Sequence, residues 1–175
     1  MTCSIRRLTG DDVGAYRAIR HEALLNHPDA FASSAEGFAR KSDEELKNLL
    51  EHLAFFAAET TSGALGGIVA FMRSDGPKES HRGWMIQVYV RPEMRGTGCG
   101  LALIEALVEH ARHHVIQVHL GVATHNEPAI RLYKRAGFEI YGTEPRYLFV
   151  NGRFVDEHLM VRFLDKAPRE SDKNE

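Results

Sequence analysis

Apolar residues along this chain switch between two spacings, and each switch marks an element. "SIRRLT", Ser4 to Thr9, alternates as a strand does. The acidic pair Asp11 and Asp12 then opens a helix whose apolar residues Val13, Tyr16, Ile19, Ala23 and Leu24 recur at helical spacing until Pro28 ends it. "KSDEELKNLLEH" places Ser42 three residues before Glu45, a capping-box spacing, ahead of Leu46, Leu49 and Leu50; a second short helix follows. "LAFFAAET" and "ALGGIVAFMR" are apolar runs parted by Thr61, Ser62 and Gly63, which predicts a hairpin. Beyond a polar loop from Ser74 to Gly83, the spacing predicts a strand from Trp84 to Val90. Next comes a helix with Leu101, Ile104, Leu107, Val108 and Ala111 on one face, then a strand from Val115 to Val122. Asn126 to Ala136 reads as a helix that Gly137 is placed to stop, and Asn151-Gly152 between alternating runs signals a two-residue hairpin.

That order predicts an α/β fold: a mixed, mostly antiparallel central sheet flanked by helices, with one parallel strand-helix-strand crossover between Trp84 and Val122. With 175 residues, 43% hydrophobic and 26% charged, the chain is sized for one core. A single domain over residues 1–165 is expected, followed by a polar, frayed tail over 166–175.

Composition then removes function classes. A net charge of −2 and a pI near 6.6 exert no long-range pull on phosphate backbones or anionic lipid, so neither nucleic acid nor membrane is an expected partner. No apolar run reaches membrane-spanning length and the N-terminus lacks a signal-peptide core, which makes the cytoplasm the default location. Cys3 and Cys99 stand at no metal-ligand spacing and read as two free thiols. Ten histidines invite a metal reading, but His110, His113 and His114 fall on a charged helix face and read as solvated; no metal is expected.

The chemistry starts at "RGTGCG", Arg95 to Gly100, where the predicted strand turns into the predicted helix. A helix N-terminus has unpartnered N–H groups and a partial positive charge, and glycines let a bulky anion approach them. Leu101 occupies the place of the third glycine of a dinucleotide fingerprint, and no Gly-Lys-Ser/Thr follows. The same glycines would also serve a tight connection without any ligand.

"VRPEMRGTGCGLALI" resembles the acetyl-CoA-binding motif of the GCN5-related N-acetyltransferases (GNAT), Arg/Gln-x-x-Gly-x-Gly/Ala, at Arg95, Gly96, Thr97, Gly98, Cys99 and Gly100. About thirty residues on, "NEPAIRLYKRAGFEIYG" is similar to the family's second motif at Asn126, Ala129, Tyr133, Gly137 and Phe138. The element order agrees with that fold from Ile5 to about Leu164, and the early segment resembles a bacterial branch of the family. The resemblance implies acetyl transfer from acetyl-CoA, as cosubstrate, to a primary amine of a small molecule or of a protein or peptide. It implies that the backbone around Gly96, Gly98 and Gly100 holds pyrophosphate and that Arg95 joins that cradle. Val88, Tyr89 and Val90 would pair with the pantetheine arm, with a Val88 or Val90 N–H facing the thioester carbonyl. Asn126 and Ala129 would line the cofactor, and Tyr133 would protonate the departing thiolate. Taken by itself, Tyr133 reads as a helix tyrosine packed on the core.

The general base stays open, because Trp84 stands near the place where histone-type relatives carry a glutamate. Glu22, Glu36, His81, His119 and His125 are available instead. By the same resemblance, substrate is gripped by the first helices and the late hairpin. Glu22, Phe31, Trp84 and Asp156 are the candidate contacts, and Glu36 and Glu157 are further carboxylates that suit a cationic amine. A homodimer through the final hairpin also follows from the resemblance. The alternative is a catalytically idle acyl-CoA sensor, against which the presence of Asn126 and Tyr133 counts.

Overall fold

The computed structural model describes residues 3–165; the tail expected at 166–175 lies outside the described residues. Within them, seven strands form one sheet: β1 (Ser4–Arg7), β2 (Ala54–Glu59), β3 (Leu65–Arg73), β4 (Arg82–Val90), β5 (Gln117–Ala123), β6 (Glu139–Val150) and β7 (Arg153–Phe163). Their spatial order is β1-β2-β3-β4-β5-β7-β6, and every neighbouring pair is antiparallel except β4 and β5. The expected mixed sheet with one parallel crossover is therefore the observed architecture. Asn151 and Gly152, both at positive φ, make the tight turn between β6 and β7.

Five helices cover the sheet: α1 (Val13–Asn26), α2 (Ala35–Ala39), α3 (Asp43–His52), α4 (Cys99–Arg112) and α5 (Glu127–Arg135). Ser42 and Glu45 close the capping box at the start of α3, as their spacing predicts. The five-residue α2, capped by Ser34 on the N–H of Gly37, is an addition that no periodicity announces. Period-two alternation sends β2 and β3 side chains to two cores. Phe55, Ala57, Ile68 and Ala70 pack under α1 and α3, whereas Ala58, Val69 and Phe71 meet Leu103, Ile104 and Leu107 of α4. Burial on both faces is why these strands read as unbroken apolar runs. His110 is not on a solvated face; its ring packs beside Phe56 and Phe71 at centroid distances of 5.6 and 5.8 Å.

One reading is corrected. Cys3 and Cys99 are joined in a disulfide, their Cα atoms 5.8 Å apart, and Cys99 is fully buried. Ninety-six positions separate them in sequence, so nothing local foretells the pairing; the docking of α4 across β1 to β3 brings them together. The bond ties the start of edge strand β1 to the first turn of α4. Closing so long a loop constrains the unfolded chain by about 2–4 kcal/mol. Cys3→Ser is expected to lower the unfolding free energy of the oxidised protein by that amount, measured by urea denaturation, and to leave that of the fully reduced protein unchanged.

Candidate active site

Parallel strands β4 and β5 pair only at Arg82↔Gln117, Gly83↔Val118 and Trp84↔His119. From Met85 onward the β4 edge on that side has left β5, while β5 stays laddered to β7 as far as Ala123↔Glu157. A bulge accompanies the departure. Between the pairs Ala70↔Ile86 and Ile68↔Tyr89, β4 carries one residue more than β3, and Gln87 there adopts φ +56°. Tyr16 of α1 donates a hydrogen bond to the Gln87 side chain at 2.8 Å, which holds the distorted stretch in place. The gap opens into a cleft of about 1090 Å³, bounded by β4, β5, the glycine loop, α5 and the segment after α1.

At one end of this cleft the glycines meet α4. Gly96 and Gly98 have φ of +72° and +92°, which side chains rarely tolerate, and a Cβ on either would meet nothing within 4 Å. Gly98 is the N-cap of α4 and supplies no side-chain cap, so the first N–H groups of the helix are left for an outside acceptor. Gly100 has a different reason, since a Cβ there would approach Leu132 of α5 to 3.1 Å. Open space, bare N–H groups and the positive end of a helix fit a phosphate-bearing ligand. Arg95 folds back, donating to the Val90 carbonyl at 2.9 Å.

The cleft wall gathers Val88, Tyr89, Val90, Arg95, Gly96, Gly98, Gly100, Asn126, Ala129 and Tyr133, together with Phe31 and Trp84. Asn126 caps α5 by accepting from the Ala129 N–H at 3.3 Å. Tyr133 is 7% exposed, burial pushes its phenol up, and among the described residues nothing hydrogen-bonds its hydroxyl. Other candidates lie elsewhere. Thr97 donates to the Met94 carbonyl and Cys99 is bound to Cys3, so neither side chain lines the cleft. Glu22 lies outside the lining, between Arg91 at 2.8 Å and the Tyr89 hydroxyl at 2.9 Å. Burial alone would raise its carboxyl, but the hydrogen bonds from Arg91 and Tyr89 outweigh that and hold it below the usual range. Asp156 also faces away, accepting from the Arg146 N–H at 2.8 Å. His119 is occupied by Gln117 and Tyr141 and Glu36 pairs with the exposed Arg40, whereas His125 does line the cleft and contacts Asp29 there at 2.8 Å. No group of three or more metal-ligating side chains converges among the described residues.

Comparison with known proteins agrees with this geometry. The Acetyltransferase (GNAT) family matches residues 17–138. An L-methionine sulfoximine/L-methionine sulfone acetyltransferase of Pseudomonas aeruginosa is 38% identical over 167 residues, covering 94% of this chain and 96% of that protein. This chain belongs to the acetyltransferase (GNAT) family. An L-amino acid N-acetyltransferase of Escherichia coli is 35% identical over a shorter stretch, 43% of this chain and 48% of that protein. A GNAT-family acetyltransferase of Streptococcus pneumoniae superposes with a TM-score of 0.83 at 23% identity, covering 93% of this chain and 99% of that one. A phosphinothricin acetyltransferase of Sinorhizobium meliloti, solved with acetyl-CoA, gives 0.80 at 22% identity over 97% and 95% of the two chains.

Two charged side chains that line the cleft of this acetyltransferase outside the family's sequence motifs have no ion-pair partner among the described residues, unlike Asp29, which contacts His125. Glu157 of β7 is one, and burial, with the charge of neighbouring Glu144 added, pushes its carboxyl up to about 7. Gly121 of β5 makes the room: a Cβ there would run into the Glu157 carboxyl group. Strand alternation separates Glu157 from Asp156, because Glu157 shares a face with buried Val155. The second is Arg20 of α1, 4% exposed. Its signal was also in the sequence, since it follows Tyr16 by four and precedes Leu24 by four on the buried stripe of α1.

A glutamate whose folded-state pKa lies above its unfolded one stabilises the fold fully below the unfolded pKa, and that contribution is lost as pH rises through the folded value. Glu157→Gln should therefore match wild type in stability near pH 4.5 and exceed it increasingly up to about pH 7, with a constant gap above. Urea denaturation of both proteins across that range checks the sign.

Proposed function

We propose that this acetyltransferase moves an acetyl group from acetyl-CoA to the primary amine of a small molecule, with Glu157 as the general base. The observation that carries the reading is the meeting, in one cleft, of an uncapped helix N-terminus, an unpaired β4 edge, a buried tyrosine and a carboxyl held near neutrality. Acetyl-CoA is the donor that the cradle suits: Gly96, Gly98 and the first turn of α4 hold its pyrophosphate, and the free edge from Val88 to Val90 pairs with the pantetheine arm. A small substrate is supported by relatives named for methionine sulfoximine and L-amino acids.

The chemistry follows from these positions. An amine attacks only when neutral, and a carboxylate with a pKa near 7 takes its proton at neutral pH far better than an ordinary glutamate. The nitrogen forms its bond to the thioester carbon, a β4 N–H stabilises the charge growing on the carbonyl oxygen, and the carbon–sulfur bond breaks. Tyr133 donates a hydrogen bond to the departing thiolate. Since its burial raises the phenol further above a thiol's usual 8.5 or so, the final proton reaches sulfur more easily from the acid formed at Glu157.

Release of free coenzyme A across a panel of small primary amines is the test. Glu157→Gln should lower kcat/KM by about 10²–10⁴-fold and remove its dependence on a group titrating near 7. Tyr133→Phe should reduce kcat while leaving the Kd for acetyl-CoA within about twofold. Wild-type kinetics in both variants would sink the assignment.

We also propose a homodimer through the closing hairpin. Phe149 and Phe154 are 66% and 58% exposed on β6 and β7 with their rings 5.0 Å apart, an aromatic pair beside the turn that a second copy would cover. Light scattering should report a dimer for wild type and a monomer for Phe149→Lys/Phe154→Lys; a wild-type monomer rejects it.

A further inference from the structure

Arg20 presents a feature of the cleft that acetyl transfer to a simple amine leaves unexplained. It is 4% exposed, it lines the cleft, and among the described residues no carboxylate pairs with it. Its Nη1 atom is buried without any hydrogen-bond partner. Burial pulls its pKa down to about 10, so it remains cationic at neutral pH. A buried, uncompensated guanidinium is costly to the fold and persists where something outside the chain completes it.

The surroundings indicate what that is. The guanidinium lies over the Phe31 ring at 4.4 Å, a contact that covers one face and leaves the donors in its plane. Two in-plane donors side by side match the two oxygens of a carboxylate, and the pair is stronger than a neutral hydrogen bond. Arg20 lies one helical turn beyond Tyr16, which is bonded to Gln87 at the bulge, so the cation stands beside the gap between β4 and β5. Glu157 faces the same cleft from β7, beyond β5. The cleft thus offers a base for an amine and, apart from it, an unpaired cation for an anion on the same small molecule. The cleft's other arginines have other surroundings: Arg95 is engaged with Val90, Arg131 pairs with Glu127 on α5, and Arg135 is exposed to solvent at the end of α5 rather than buried.

We propose that Arg20 binds the carboxylate of the acyl acceptor, which makes the substrate class of this enzyme amino acids rather than simple amines, polyamines or aminoglycosides. This rests on the transferase reading above and adds to it the group that selects the acceptor. The orphaned Arg20 donor, and not the base, is what discriminates.

The test pairs L-methionine, L-phenylalanine and L-glutamate with their α-amides and their decarboxylated amines. Free coenzyme A release reads turnover, and calorimetric titration into the coenzyme A-bound protein reads binding without turnover. The expected result is that at least one amino acid exceeds its amide about 10- to 100-fold in kcat/KM and in affinity. Arg20→Gln should abolish the difference by raising KM for the acid alone, and Arg20→Lys, which keeps the charge but not the fork, should restore part of it. Should Arg20→Gln fold poorly, the acid-to-amide ratio of wild type still decides. Equal handling of acid and amide by wild type, or an equal loss for all acceptors in a folded Arg20→Gln, would overturn the proposal. Preferential binding of the acids with no release of coenzyme A from any amine would support the carboxylate site and sink the transferase reading instead.

Discussion

Two parallel strands that share only three register pairs govern the rest of this molecule. Parting β4 from β5 exposes backbone N–H and C=O groups inside a sheet, and such groups cost free energy unless something pairs with them. The separation is held from both sides. On the β4 side, the bulge at Gln87 places a non-glycine residue at φ +56°, a strain of order 1–3 kcal/mol, and Tyr16 bonds its side chain. On the β5 side, an unbroken ladder to β7 prevents the strand from following. The helices crossing on each face fill two separate cores, so the gap cannot close by collapse without disturbing both.

Within that frame, charged groups sort by whether the protein completes them. Glu22 satisfies Arg91 and Tyr89 and thereby fastens α1 to the end of β4. Arg162 does comparable service between Glu105 and the Ala136 carbonyl. Such pairs are structural, and their carboxylates are poor bases because they are already hydrogen-bonded. Glu157 and Arg20 are the reverse, half-buried or buried in the cleft with no opposite charge paired to them among the described residues. Perturbed groups of that kind concentrate where a ligand supplies the missing partner.

Much of the architecture was legible because long elements repeat their signal. α1 and α4 each carry five apolar positions in phase, the inner strands read as apolar runs, and the two motifs around Gly98 and Tyr133 fix their own relative place in the family's fold. What escaped detection has physical reasons. α2 is one turn held by a cap, too short for a period to show. The Cys3–Cys99 bond depends on how α4 crosses the sheet, which no local spacing encodes. The bulge at Gln87 shows only as one polar residue in an apolar run, which does not specify a break in pairing. In the site, Asp156 and Glu157 are both legible as carboxylates that suit an amine, and only the burial along β7 separates them, by placing Glu157 on the face of Val155. Arg20 is legible as a cation within the apolar stripe of α1, but a stripe's period reports which face is buried and not whether a charge on it has a partner.

Gly121 carries a consequence for aim as well as for space. It lies diagonally across from Glu157, whose own register partner is Ala123, and its missing side chain is the floor on which the Glu157 carboxyl rests. A methyl group at 121 would displace only the free end of a flexible side chain, leaving the ladder between β5 and β7 in place. The glycine therefore governs where the carboxyl points and not whether the strands pair.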